Sequence, residues 1–162
     1  MYIYRYVKSR SGMGHIRVDK SDLSATAMCT SFNLRKAARA VTQFYDEALK
    51  PSGLKSTQFS LLSMASASGG TPISRLAGDM AMDRTTLTRN LKPLEDAGLV
   101  RIECGEDRRV RKVVVTPDGE HALSRAMPMW RRAQTRMIDR LGDEQWGDFL
   151  RQLQTARRVV KG

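Results

Sequence analysis

Residues 82–100 read MDRTTLTRNLKPLEDAGLV, and the fold turns on what this stretch does. Leu87, Leu91 and Leu94 fall on one face at about 100° per residue, so the segment reads as a helix with one side against a core. It is nevertheless rich in residues that helices use reluctantly. Thr85, Thr86 and Thr88 lose side-chain freedom in a helix. Pro93 removes a backbone hydrogen bond and clashes with the carbonyl at Arg89, a defect of about 3 kcal/mol in an unrelieved interior. The wheel sets Thr85, Arg89 and Lys92 opposite the leucines, with Thr86 and Thr88 beside them and Arg84 in the opening turn. A threonine hydroxyl reaches bases or phosphates, its methyl can touch thymine, and arginine can hold guanine O6 and N7 with two bonds. Arg84, Thr85, Thr86, Thr88, Arg89 and Lys92 therefore form the expected reading face of a helix that enters the major groove of double-stranded DNA. Pro93 is expected to kink the helix past these residues, leaving Asp96 beyond the DNA. The bland alternative is an ordinary solvated face.

The flanks decide between the two. Upstream, Ser56 to Met64 fits a helix with Phe59, Leu62 and Met64 or Ala65 inward. After the break SASGGTP, Thr71 reads as an N-cap with Pro72 at the first helical position, and ISRLAGDM buries Ile73, Leu76, Ala77 and Met80. Asp83 can cap the central helix, which closes at Gly98 as a left-handed C-cap residue. Downstream, VRIEC alternates, with Val100, Ile102 and Cys104 on one side, and RKVVVT returns as a second strand. Helices followed by a hairpin, all within residues 56–116, is the order of a winged helix-turn-helix. The tip of the hairpin carries Glu106, Asp107, Arg108, Arg109 and Arg111. Arg108, Arg109 and Arg111 fit a wing that enters the minor groove or grips phosphates, and Asp107 orients a neighbouring arginine.

The remainder is helical. Leu34, Ala37, Ala38, Val41, Tyr45, Ala48 and Leu49 recur at helical steps from Thr30 until Pro51 and Gly53 end the run. Thr116-Pro117-Asp118-Gly119 repeats the cap-then-proline signature and opens a long helix carrying Leu123, Met127, Trp130, Met137, Ile138 and Leu141, which Pro128 is expected to kink. A last helix opens near Asp143 with Trp146, Phe149, Leu150 and Leu153 at amphipathic spacing. Residues 1–29 show no sustained period and read as a mobile arm, in which Met13 and Met28 offer alternative starts.

Composition agrees with a polyanion as partner. The 162 residues hold 28 Lys and Arg against 17 Asp and Glu, a net charge of +11. Such a field draws nucleic acid first and an anionic membrane surface second. No apolar run approaches the roughly 20 residues of a membrane span, and the N-terminus lacks the h-region of a signal peptide, so a cytoplasmic location and no membrane partner are expected. Cys29 and Cys104 are far apart, and His15 and His121 are isolated, so the pattern offers no metal cluster, no nucleophile with its base and no phosphate loop. A non-enzyme without cofactor is expected. Cys104 reads as a small core residue, His121 as a surface residue, and Trp130 and Trp146 as packing.

These residues resemble the MarR family of bacterial transcriptional regulators from about Cys29 to the C-terminus. The resemblance rests on NLRKAARAVTQFYDEALKPSGLKSTQFSLL, MDRTTLTRNLKPLEDAGLV, DRR followed by VVVTPDG, and the helix around MPMWRRAQ. It implies a mainly α fold with a small β-hairpin wing (α+β), in which a winged helix-turn-helix at 56–116 sits between dimerisation helices at 30–55 and 117–162. It implies a homodimer whose recognition helices, about 34 Å apart, read a near-palindromic operator, usually as a repressor. It also implies a small aromatic or phenolic effector where the dimerisation helices meet the winged domain, with Phe32, Arg39, Tyr45 and Met64 as candidate lining by position. One branch of the family senses peroxides through a cysteine near the start of the first helix. Matching Arg39, Thr42 and Tyr45 to that pattern puts Ser31 at the sensing position and Cys29 two residues earlier, with Arg35 and Lys36 nearby. Redox sensing at Cys29, or nonspecific architectural binding of DNA, are the alternative functions.

Overall fold

The computed structural model describes residues 23–24, 26–67, 69–105 and 109–160. They fall into two compact units divided between Ala40 and Val41, inside helix α1 (Thr30–Leu49). In the first unit a short 3-10 helix spans Thr26–Met28. Asn33 ties the helix start back to it, donating from Nδ2 to the carbonyls of Ala27 at 2.7 Å and Cys29 at 3.0 Å. Most of the arm expected over residues 1–29 lies outside the described residues.

The second unit begins with the last turns of α1, which end in a 3-10 turn at Lys50–Ser52 and at Gly53, whose φ of 81° only glycine adopts cheaply. Helix α2 (Ser56–Ser66) follows. Its exposed N–H groups find side-chain acceptors: Asp46 of α1 accepts from Ser56 N at 2.6 Å, and Gln58 from Lys55 N at 2.9 Å. Then come strand β1 (Thr71–Pro72), helix α3 (Ile73–Asp79), helix α4 (Arg84–Asp96), strands β2 (Val100–Cys104) and β3 (Arg111–Val115), and the helices α5 (Pro117–Leu141) and α6 (Asp143–Val159). The sheet is antiparallel in the order β1-β3-β2. Its inner face and helices α2 to α5 enclose one core, in which Leu49, Phe59, Leu61, Leu62, Leu76, Leu87, Leu91, Leu94 and Val113 are buried. This is the winged helix-turn-helix with flanking helices.

Two local expectations are corrected. Thr71 does not cap α3: it pairs with Val113, and Pro72 with Lys112, so the expected cap is the first residue of a third strand. A two-residue strand has no period to read, and only its ladder partner β3 defines it. Cys104 is exposed rather than core, because burial along β2 fades from Val100 toward the wing tip. Of the two residues offered for the inward position on α2, Ala65 is the one buried, while Met64 is 41% exposed. Thr116 does cap α5, accepting from Gly119 N at 3.1 Å, and the close of α4 is as expected, with Gly98 at φ 70° and its N–H on the Glu95 carbonyl at 2.9 Å.

Candidate nucleic-acid interface

Helix α4 is held by its leucines and by its cap. Leu87, Leu91 and Leu94 are buried. Asp83 takes the N-cap position, and one carboxylate oxygen accepts from Thr86 N at 2.8 Å while the other accepts from Thr86 Oγ1 at 2.7 Å. These bonds, the backbone one first, hold the Asp83 carboxyl below its ordinary pKa. Fixed in this way, the helix presents Arg84, Thr85, Thr88, Arg89, Lys92 and Pro93 as one shallow groove on its outer side.

The six residues expected to read DNA are not equivalent. Arg84, Thr85, Thr88, Arg89 and Lys92 are exposed, whereas Thr86 is half-buried and its hydroxyl proton is committed to Asp83. The Thr88 hydroxyl donates to the Arg84 carbonyl at 2.8 Å, the usual alternative bond for a threonine inside a helix. Lys92 pairs with Asp96 one turn on, and that hydrogen bond raises its pKa. Asp96, expected to stand clear of the DNA, thus competes for one of the cations meant to meet it. No such bond holds the guanidinium groups of Arg84 and Arg89 among the described residues. Helix α4 continues through Pro93 to Asp96.

In the wing, β2 and β3 pair from Val100↔Val115 to Cys104↔Arg111, and Gly105 N donates to the Val110 carbonyl at 2.7 Å near the tip. Arg109 and Arg111 are exposed there; Arg108, with Glu106 and Asp107, lies outside the described residues. Arg101 and Glu103 form an ion pair on β2.

A separate cleft of about 310 Å³ lies in the second unit. Val41, Thr42, Tyr45 and Leu49 of α1, Ser56, Thr57, Phe59 and Ser60 of α2, Met80 and Met82 of the turn before α4, and Trp130 of α5 line it. Trp130 stacks on Phe59 with ring centroids 5.8 Å apart. Of the four residues expected to line an effector site, only Tyr45 is on this wall. Its hydroxyl donates to Gln134 Oε1 at 2.7 Å, and burial raises its pKa. Phe32 and Arg39 are exposed in the first unit, and Met64 is exposed on α2. Met80 and Trp130 were legible only as core residues, because no sequence period separates a cleft wall from a core, and Met82 was not singled out. Cys29 is exposed. Among the described residues no group of three or more potential ligands could hold a metal ion, and no helix is long and apolar enough to cross a membrane.

Comparison with known proteins places this arrangement. The profile of the MarR family matches residues 54–110, which carry α2 to the wing. A structure of the M. tuberculosis transcriptional regulator MosR in complex with DNA is 39% identical, over 82% of this chain and 96% of that one, with a TM-score of 0.76. The chain belongs to the MarR family. A second MosR structure is 36% identical over 84% of this MarR-family chain and 98% of its own, with a TM-score of 0.73. YwoH, an uncharacterized HTH-type transcriptional regulator of Bacillus subtilis (strain 168), is 32% identical over 87 residues, which span 54% of this chain and 64% of that relative.

Proposed function

We propose that this MarR-family chain is a transcriptional regulator that binds a near-palindromic double-stranded operator as a homodimer and represses the adjoining gene. The observation that carries the reading is the outer face of α4, where Arg84, Thr85, Thr88 and Arg89 stand exposed opposite three buried leucines. A rigid, capped helix of that form fits the major groove, and the guanidinium groups of Arg84 and Arg89 can each offer a fork to a guanine edge. Arg109 and Arg111 on the wing supply contacts to phosphates or the minor groove. The similarity to a MosR structure that contains DNA supports the same assignment. The flanking helices at 30–55 and 117–162 serve as the dimerisation elements, and two-fold pairing sets the recognition helices about one DNA turn apart.

The cleft beside Trp130 is the place for an effector. A small aromatic molecule seated there releases DNA if it binds the non-operator spacing of the two recognition helices more tightly than the operator-bound one.

The test is fluorescence anisotropy of the purified protein on DNA from its own upstream region and on a shuffled control, across several salt concentrations. A preference for the native sequence that survives moderate salt and saturates at one dimer per site supports the reading. Equal binding to both, lost steeply with salt, marks a nonspecific binder that recognises phosphates alone.

A further inference from the structure

The last turn of α4 holds charges that helix stability does not explain. Glu95 and Asp96 occupy that turn, and no basic residue does. The negative end of the helix dipole disfavours both carboxylates. The ion pair of Lys92 with Asp96 also runs in the weaker order, with the cation one turn before the acid. A helix shaped for stability alone would carry the opposite pattern, so the acid at position 96 serves something else.

Lys92 lines the outer groove of α4 together with Arg84, Thr85, Thr88 and Arg89, the face turned toward DNA in the proposed function. An ammonium on a flexible stem is there a point charge that meets phosphates of any sequence. Arg84 and Arg89 differ, because a guanidinium fork can match the edge of one base. Asp96 engages the unselective cation of this face: Lys92 Nζ donates to Asp96 Oδ1, while no such bond holds Arg84 or Arg89 among the described residues. The side chains of the pair are 65% and 58% exposed, so it stands in solvent beside the groove. Its charges sum to zero where an unpaired lysine would add one.

We infer that Asp96 cancels Lys92 as a phosphate contact and so lowers affinity for DNA of arbitrary sequence, leaving discrimination to Arg84 and Arg89. The inference rests on the DNA-binding reading above. On the operator, Arg84 and Arg89 fix the register of the helix, and Lys92 stays on Asp96. On other sequences no base contact fixes the register, and a lysine released from Asp96 settles on whichever phosphate is nearest. Asp96 is thus a specificity-determining residue that touches no base.

The experiment uses the full chain and four variants. Asp96→Asn keeps the shape and removes the charge. Lys92→Gln removes the cation, and the third variant combines the two. Glu47→Gln is the control for net charge, since it takes a carboxylate from an exposed pair with Lys50 at the end of α1. Anisotropy is measured on the upstream duplex and on its shuffled control across a salt series. Asp96→Asn is expected to bind the shuffled duplex roughly fivefold more tightly at about 0.1 M salt, and its slope of log affinity against log salt to steepen by about 0.9, the signature of one added phosphate contact. The upstream duplex gains about twofold at most, so the preference for it falls. Glu47→Gln leaves both affinities close to those of the parent, and in Lys92→Gln the further change Asp96→Asn has little effect. If Asp96→Asn leaves the shuffled affinity and its slope unchanged, or if Glu47→Gln matches it, the role of Asp96 is overturned. If its effect persists in full without Lys92, the carboxylate repels phosphates directly and the action through Lys92 is overturned. Equal gains on both duplexes overturn the claim on specificity. A parent that binds the two duplexes equally counts against the sequence-specific reading, while the shuffled duplex still decides what Asp96 does. A parent that binds neither sinks the DNA-binding reading and this inference with it.

Discussion

At Arg89, as at Arg84, the guanidinium on the outer face of α4 is unengaged among the described residues. Lys92, three residues on, is held by Asp96, and Thr86 by Asp83, but no bond commits the Arg89 guanidinium among the described residues. It can turn its fork to a guanine without breaking a bond first. Arg89→Ala is therefore expected to cost about 1 to 3 kcal/mol on the operator and much less on random DNA, measured by anisotropy on both. Equal losses would make it a phosphate contact. The split between Leu87, Leu91 and Leu94 on one side and Arg89 on the other was legible in the sequence, because it follows from helical period alone. The capture of Thr86 and Lys92 was not, since a side-chain hydrogen bond depends on rotamers that neighbours choose.

At the scale of the element, α4 depends on its cap. Because hydrogen bonds from Thr86 lower the Asp83 pKa in the folded chain, the ionised carboxylate contributes stability at any pH above its unfolded value, and that contribution fades as pH falls through the lower folded value. Asp83→Asn keeps an acceptor at the cap but cannot ionise. The stability gap between the parent chain and this variant, from denaturant midpoints, should be widest near neutral pH and close below the ordinary aspartate range. A gap that does not change with pH would mean that the charge adds nothing. The junction of the wing and α5 is tight in another way. A Cβ on Gly119 would run into the Leu99 carbonyl and come within 2.7 Å of Val115 Cγ1, and the same carbonyl accepts from Thr116 N at 3.1 Å. Gly119→Ala is expected to destabilise by about 1 to 3 kcal/mol, the cost of overpacking, although alanine favours helix, and urea unfolding followed by circular dichroism reads it. The order of helices and hairpin was legible here from caps, prolines and alternation. Strand β1 was not, because Thr71-Pro72 imitates a helix start and only pairing with Val113 and Lys112 makes it a strand.

For the whole molecule, the sequence conveys family and architecture, while assembly leaves a clearer trace in exposure. The core of the second unit is closed by leucines from α2 to α4, yet α6 keeps Phe149 at 38% and Leu153 at 36% exposure, on the same stripe as the half-buried Trp146 and Leu150. Val159 and Val160 beyond them are 71% and 84% exposed. The amphipathic spacing of α6 was visible from its residues, but that its apolar stripe exceeds what its own chain covers is a matter of packing. In the proposed dimer a second copy covers it, so folding and association are linked by mass action. The thermal midpoint should then rise with protein concentration, and Phe149→Glu with Leu153→Glu should shift sedimentation from dimer to monomer. Those substitutions lie far along the chain from α4, so residual monomer should still bind random DNA through its basic surface. Operator binding should fall much further, because it requires two recognition helices held at a fixed spacing. A variant that becomes monomeric and still prefers the operator as strongly as the parent would overturn the dimeric reading, since one winged helix would then carry the specificity alone.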